Sequence, residues 1–414
     1  MQIIDIYDQF KECGSVTTDT RTLKGGEMFF ALKGENFDGN EYALKALEAG
    51  AAYAVVNASS EAAAAAAEGR LPADVAARLV VVEDTLKTLQ ELARWHRSMT
   101  FVDGKPLTVV ALTGTNGKTT TKELIRAVLS VRYNVTATEG NLNNSIGVPL
   151  TLLKINSDTQ IAVVEMGASH PGDIKELVDI AEPNCGLITN VGRAHLEGFG
   201  SFEGVQQTKK ELYDYLREHQ GFIFRNTDNP YLAQMAGDLK TVGYTTGQMP
   251  EGTNLVGAYN AENVSAAVCV GVHFGVAEEQ ALEAVRHYVP TNNRSQSMQT
   301  AHNHLIVDAY NANPTSMQAA INSFKGDTFI LGAMRELGEY THLEHQNIVN
   351  MLAERKADLV YLVGEEYRLT TSPYPIFDTV EDLHVFLQTN PLQGKYILLK
   401  GSRSTRMEKL LDIL

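Results

Sequence analysis

Ala111-Leu-Thr-Gly-Thr-Asn-Gly-Lys-Thr-Thr120 lies between two segments of different periodicity. Before it, Leu107-Thr-Val-Val-Ala-Leu112 is apolar and β-branched, which predicts a strand. After it, Leu124, Ile125, Val128 and Leu129 recur at helical spacing. A strand, a glycine-bearing loop and a helix make the setting of a phosphate-binding loop. Gly114 and Gly117 let successive backbone N–H groups turn toward one anion, and the following helix adds the partial positive charge of its N-terminus. Lys118 is placed to reach the β- and γ-phosphates, and the Thr119 hydroxyl to ligate Mg2+. The generic pattern G-x-x-x-x-G-K-[ST] calls for Gly at 112, where this chain has Leu112; Gly114 supplies the flexibility instead. The bland alternative is a glycine turn that happens to precede Lys-Thr, and the flanking strand and helix disfavour it.

Composition bounds the rest. A chain of 414 residues with 44% hydrophobic content can bury a sizeable core in two or three domains. A net charge of −15 argues against general nucleic-acid binding, so local cations must hold any anion. Cys13, Cys185 and Cys269 are scattered without a C-x-x-C spacing, which suggests neither a disulfide framework nor a zinc site. The N-terminus has no basic segment followed by an apolar one, and no stretch reaches about 18 consecutive apolar residues. A cytoplasmic protein without membrane insertion is expected.

Strand-like runs alternate with helical ones throughout. In the first part they are 27–32, 51–56 and 79–82, with helices at 42–49, 61–68 and 85–97. The alanine-rich run 61–68 reads as a solvated helix, and 101–106 as a linker. In the second part, 135–138, 161–164 and 185–189 follow the loop strand, which implies a doubly wound, mainly parallel sheet. In the third, strands at 305–308, 328–331, 359–363 and 396–399 alternate with helices, again an α/β pattern of dinucleotide-fold style. The expected domains are 1–104, 105–292 and 293–414.

Sheets of this kind bind ligands at the carboxyl ends of their strands, and polar residues collect there. Glu165 ends an apolar strand and suits Mg2+, or else caps the helix that follows. His195, in a glycine-rich loop after another strand, is equally a structural histidine or a ligand. Asn141, Asn143 and Asn144 form an amide-rich loop that fits a polar substrate or simply turns the chain. Lys209 and Lys210 read locally as a solvated helix face. Arg294 near a domain junction could stabilise a transferring phosphate. Asp308-Ala-Tyr-Asn-Ala-Asn-Pro314 and Lys400-Gly-Ser-Arg403 each end a strand in the third part, and together they suggest a ligand-binding edge.

With these runs in view, the chain closely resembles the Mur ligase family over nearly its whole length. The matching runs in the first part are Thr18-Asp-Thr-Arg21 and Phe37-Asp-Gly39, with Asn40 where the family often has His. In the second they are Thr113-Gly-Thr-Asn-Gly-Lys-Thr-Thr120, Asn141-Leu-Asn-Asn144, Glu165-Met-Gly167, Ala194-His-Leu-Glu197 and Gly257-Ala-Tyr-Asn-Ala-Glu-Asn263. In the third they are Asp308-Ala-Tyr-Asn-Ala-Asn-Pro314, Leu331-Gly-Ala-Met334 with Glu336-Leu-Gly338, and Lys400-Gly-Ser-Arg403; Ala333 departs from the usual Asp. The third part looks like the dipeptide-adding branch, since no Asp-Asn-Pro-Arg motif of the amino-acid-adding branch is present.

The resemblance implies a peptidoglycan-precursor ligase working through an acyl phosphate. ATP and Mg2+ are the implied cofactors, UDP-N-acetylmuramoyl-tripeptide and D-alanyl-D-alanine the implied substrates, and a monomer the implied state. It makes Lys118, His195 and Lys209 catalytic. Gly114, Thr115, Asn116, Gly117, Lys118, Thr119, Thr120, Asn263, Arg294 and Asp308 become ATP contacts. Asp19, Arg21, Asn141, Asn143, Asn144, Tyr310, Asn311 and Asn313 become substrate contacts, and Thr119, Glu165 and His195 metal ligands. Lys209 matches a lysine that several members carbamylate, against its bland local reading. Two rivals stand beside this: a folylpolyglutamate synthase sharing the last two domains, and a phosphate-loop motor or switch acting on a macromolecule.

Overall fold

The computed structural model describes residues 2–257, 259–291 and 294–414. The expected boundary at 292–293, and Ala258 within the 257–263 motif, lie outside them. By contact the chain divides into two compact units that alternate along the sequence. One holds the chain up to Ala111 with Tyr133–Met166 and Glu176–Asn184; the other holds Leu112–Arg132, Gly167–Lys175 and Cys185–Leu414.

In the first unit, Val16–Thr17, Met28–Phe30, Tyr53–Asn57 and Leu79–Val82 are successive parallel neighbours. Met28, Phe29 and Phe30 are all buried, as expected of a parallel sheet covered on both faces. The alanine-rich helix Glu61–Ala67 is not solvated as its composition suggested. Ala62 and Ala63 join the core around Phe29, Leu47 and Val56, and Ser60 caps the helix by accepting from the Ala63 N–H. The alanines are there for close packing, and a polarity-based reading misses that. The 101–106 segment is a small hairpin, Phe101–Val102 against Lys105–Pro106, with Asp103 and Gly104 both at positive φ. Helix Thr85–Ser98 is capped by Asp84 and sends the buried Arg97 guanidinium to the carbonyls of Ala181 and Glu182. Ile161–Glu165, buried along its length, pairs parallel with Val135–Ala137.

In the second unit, Cys185–Ile188, Phe222–Asn226 and Thr241–Tyr244 are successive parallel strands. Helix Asn260–His273 packs on the loop helix Lys118–Leu129 so closely that a Cβ on Gly271 would collide with Val128. A further six-stranded sheet follows the edge-to-edge order Gln296–Gln299, His304–Asp308, Tyr396–Lys400, Thr328–Gly332, Leu359–Val363 and Ile376–Phe377. Its first pair is antiparallel and the rest are parallel. Phe329, Leu331, Leu362 and Leu398 face one core, while Leu305, Val307, Ile330 and Leu399 face another. This strict alternation puts helices on both faces and leaves the strand ends at Asp308, Gly332 and Lys400 on one edge.

Candidate active site

The phosphate loop connects Thr108–Thr113 to Lys118–Leu129. Gly114 has φ 146 and a Cβ there would strike the Thr189 hydroxyl; Gly117 has φ 78 and a Cβ there would strike the Asn263 amide. Both positions therefore require glycine, by backbone angle and by space. The segment after Cys185–Ile188 braces the loop. Thr115 N–H donates to Asn190 O (2.9 Å), Asn116 N–H to Asn190 Oδ1 (3.0 Å) and Thr189 Oγ1 to Asn116 O (2.6 Å). Gly192 N–H donates to Thr115 Oγ1 (2.9 Å). Lys118 Nζ donates to Gly114 O (2.8 Å) and Thr115 O (3.1 Å), so its charge sits over the curled loop. Thr119 and Thr120 are buried in the first turn of the helix.

Asn263 holds the other side of the loop. Its Oδ1 accepts from Thr121 Oγ1 (3.0 Å) and its Nδ2 donates to Asn260 Oδ1 (2.9 Å). This side chain, expected among the ATP contacts, is thus engaged in fixing the loop helix.

His195 is at φ 50, ψ 38, a left-handed conformation that aims its ring at Glu336, itself at φ 60. Its Nδ1 is hydrogen-bonded to Glu336 Oε2. A carboxylate only accepts, so Nδ1 carries a proton, and in the neutral ring this leaves Nε2 its lone pair. Burial lowers the imidazole's affinity for a proton, Glu336 opposes that, and Lys118 and Lys209 add to it.

Lys209 contradicts its solvated reading. On Phe202–Glu218 it is buried, with its ammonium 5.5 Å from the centre of the Phe199 ring. Burial pushes its amine well below the usual lysine value, Lys118 reinforces this, and Asp173 and Glu211 oppose it. The sequence signal that finds it is family resemblance; the local pattern Gln-Thr-Lys-Lys-Glu reads as surface.

The third-part motifs meet the loop directly. Asn313 caps helix Pro314–Ser323, its Oδ1 accepting from Ser316 N–H (2.9 Å), while its Nδ2 donates to Asn116 Oδ1 (2.8 Å). Thr315 Oγ1 accepts from Arg193 N–H (3.1 Å) and Gly192 has no room for a side chain against it. Arg193 also reaches the buried Glu344 carboxylate (3.1 Å). Neither Arg193 nor Thr315 was foreseen, because their role depends on which segments pack together. Asp308 pairs with Lys400 (2.6 Å), which also donates to Asn311 O (3.0 Å). The Arg294 guanidinium lies 3.9 Å from the centre of the Tyr310 ring. Ala333 is fully buried, its N–H donating to Val363 O (2.8 Å) beside Gly364, and Glu366 flanks the same glycine. An Asp there would set a buried carboxylate near the partly exposed Glu366, so alanine fits this packing.

The remaining expected residues belong to the first unit. Asn143 Nδ2 donates to Glu165 Oε1 (2.8 Å), and Glu165 is buried. Asn144 accepts from Gly147 N–H (2.9 Å), starting helix Gly147–Leu152, and Asn141 is exposed. Arg21 and Asp19 form an exposed two-bond pair that holds the Asp19 carboxyl well below the usual range. Among the described residues, no group of three or more His, Cys, Asp or Glu side chains is gathered as a metal centre, and no helix is long and apolar enough to cross a membrane.

Three family models match the chain. They are the Mur ligase family catalytic domain over residues 12–97, the Mur ligase middle domain over 112–250, and the Mur ligase glutamate ligase domain over 293–403. Curated UDP-N-acetylmuramoyl-tripeptide–D-alanyl-D-alanine ligases from Bacillus subtilis and Escherichia coli are 34% and 32% identical to it. The alignments cover 95% and 97% of this chain and 92% and 93% of theirs. The crystal structure of a MurF ligase from Thermotoga maritima in complex with ADP is 28% identical, with a TM-score of 0.81 over 96% of each chain.

Proposed function

Because the chain belongs to the Mur ligase family, we propose that it joins D-alanyl-D-alanine to UDP-N-acetylmuramoyl-tripeptide while ATP becomes ADP and phosphate. The observation that carries the reading is the Asn116–Asn313 contact. It joins the phosphate loop to the strand-end motif that the resemblance assigns to the incoming dipeptide.

The chemistry follows from what a carboxylate lacks. It is a poor electrophile at neutral pH, so the tripeptide carboxylate first attacks the γ-phosphorus of ATP and ADP leaves. The dipeptide amine then attacks the acyl phosphate carbonyl, phosphate departs with the C–O bond electrons, and the amine loses a proton. Lys118 and the loop N–H groups meet the charge that develops on the phosphoryl oxygens. Arg294 and Asp308 are assigned to the nucleotide, Tyr310, Asn311 and Asn313 to the dipeptide, and Asp19, Arg21 and the Asn141–Asn144 loop to the UDP-linked substrate. Thr119 and Glu165 are each hard oxygen donors of the class Mg2+ takes, and each is assigned to Mg2+ with phosphate oxygens and water completing the shell, His195 being assigned to a second ion. Bound Mg2+ would supply charge neutralisation in the phosphoryl step. The three expected domains, a monomeric state and a cytoplasmic location, where ATP and the UDP-linked substrate would be at hand, are part of the same proposal.

The test is a reaction of the protein with ATP, Mg2+, both substrates and a mass readout. The pentapeptide product is expected, with phosphate release requiring both acceptor and dipeptide. A glutamylated folate instead, or hydrolysis that depends on a macromolecule, refutes it.

A further inference from the structure

Two guanidinium groups lie close to Tyr310. Arg294 is 3.9 Å from its ring centre and Arg403 is 5.4 Å away, with Arg403 Nη1 3.5 Å from the phenol oxygen. The two arginines come from distant segments, one preceding Gln296–Gln299 and the other following Tyr396–Lys400. Among the described residues, no carboxylate lies within ion-pair distance of either; the neighbouring Asp308 is taken by Lys400 at 2.6 Å. Several surface arginines here find acids, such as Arg335 with Glu366 and Arg368 with Asp378, while Arg355 bonds the backbone carbonyls of Phe324 and Gly326 instead. In a chain of net charge −15, two neighbouring cations without an acid mark a place kept for an anion.

We infer that Arg403 binds the terminal carboxylate of the incoming dipeptide, while Arg294 is left to the nucleotide. This rests on the ligase reading above. Two points favour it. Arg403 follows Lys400-Gly-Ser, at the strand edge where Asn311 and Asn313 also lie. A guanidinium fork matches a carboxylate in a bidentate way that a lysine cannot. A terminal carboxylate read in this way makes the enzyme select a free dipeptide acid over an amide or a longer peptide.

The test pairs an enzyme change with a substrate change. Wild type, Arg403→Gln and Arg403→Lys are each assayed with D-alanyl-D-alanine and with its C-terminal amide. Wild type is expected to prefer the acid by roughly ten- to hundredfold in kcat/KM, the range of a charge-assisted bond lost. Arg403→Gln is expected to lose that preference, through a raised KM for the acid, while its KM for ATP and its use of the amide stay near wild type. Arg403→Lys should recover part of it. Equal losses on acid and amide in Arg403→Gln overturn the assignment, as does an unchanged preference. No ligation of either dipeptide by wild type under these conditions refutes the ligase reading itself, a separate outcome.

Discussion

Asn116 of the phosphate loop and Asn313 at the head of Pro314–Ser323 hold each other through their side-chain amides. Asn313 Nδ2 donates to Asn116 Oδ1 at 2.8 Å, and Asn116 Nδ2 lies 3.4 Å from Asn313 Oδ1. The same Asn313 Oδ1 caps its helix. One side chain thus starts a helix and ties it to the loop, and the two roles separate by substitution. Asn313→Asp keeps the cap, because the carboxylate still accepts from Ser316 N–H, but it cannot donate to Asn116. It is expected to keep the wild-type unfolding midpoint and lose roughly tenfold or more in kcat. Asn313→Ala should lose both, with about 1 kcal/mol of stability gone as well. Urea titration beside steady-state kinetics checks this, and equal kcat in wild type and Asn313→Asp refutes the coupling.

Gly114→Ala should be the most damaging small change in the loop. The backbone there is at φ 146 and the new methyl would meet the Thr189 hydroxyl. Strain of this kind costs about 1–3 kcal/mol, and the loop must move to relieve it. ATP binding is expected to vanish in calorimetry while the global fold survives. Tight ATP binding in this variant contradicts the cradle.

Much of this was readable in advance, for a physical reason. Leu107–Leu112 and the 124–129 pattern are local signals, and the observed strand Thr108–Thr113 and helix Lys118–Leu129 follow them within a residue or so. Phe222–Asn226 and Thr241–Tyr244 passed unread, since short strands interrupted by Arg225 and Gly243 lack a clean period. The same limit applies to Lys209. Its burial depends on Phe199 and on the segments carrying Asp173 and Lys118, which no window of sequence around 209 contains. Resemblance supplied what periodicity could not there. The Arg193–Glu344 and His195–Glu336 links are beyond both, because they join residues 151 and 141 positions apart.

Carbamylation of Lys209, which the family resemblance implies, is open to test. The neutral amine is the form that adds to the carbon of carbon dioxide, with loss of a proton, and burial together with the Lys118 charge favours that form. Activity is expected to fall severalfold in buffers stripped of carbon dioxide and to return on adding bicarbonate, with a mass gain on Lys209 under native conditions. Lys209→Arg should be inactive and insensitive to bicarbonate. Full activity without carbon dioxide rules the modification out.

His345 should make the second unit acid-sensitive. It is buried, accepting from Met334 N–H at Nε2 (3.1 Å) while Nδ1 is 2.7 Å from Thr341 O. This uses the neutral ring in full, and burial, opposed by the Thr341 carbonyl, lowers its affinity for a proton. A histidine with a depressed folded value contributes stability that is complete above its unfolded value, about 6.5, and is lost as the pH falls through the lower folded value. The urea midpoint is therefore expected to drop between pH 7.5 and 5. His345→Gln, which can still accept from Met334, should flatten that drop. An identical pH dependence in both proteins counts against His345 as its source.

Glu336 is expected to govern how His195 presents Nε2. With Nδ1–H held by the Glu336 carboxylate, the ring is locked in one tautomer and one orientation, the arrangement by which an outer carboxylate sharpens a metal-facing histidine. The paired left-handed backbones at His195 and Glu336 keep this contact in place, and Glu197 N–H adds a bond to Glu336 O (3.4 Å). Glu336→Gln retains an acceptor but not the charge, whereas Glu336→Ala retains neither. The alanine variant should weaken Mn2+ binding in the presence of ADP by about ten- to a hundredfold, the range for loss of an outer partner, with the glutamine variant between it and wild type. Nitrogen NMR of the imidazole should show a single Nδ1-protonated tautomer in wild type and a mixture in Glu336→Ala. If the tautomer and the Mn2+ affinity are both unchanged in Glu336→Ala, the carboxylate does not position this histidine.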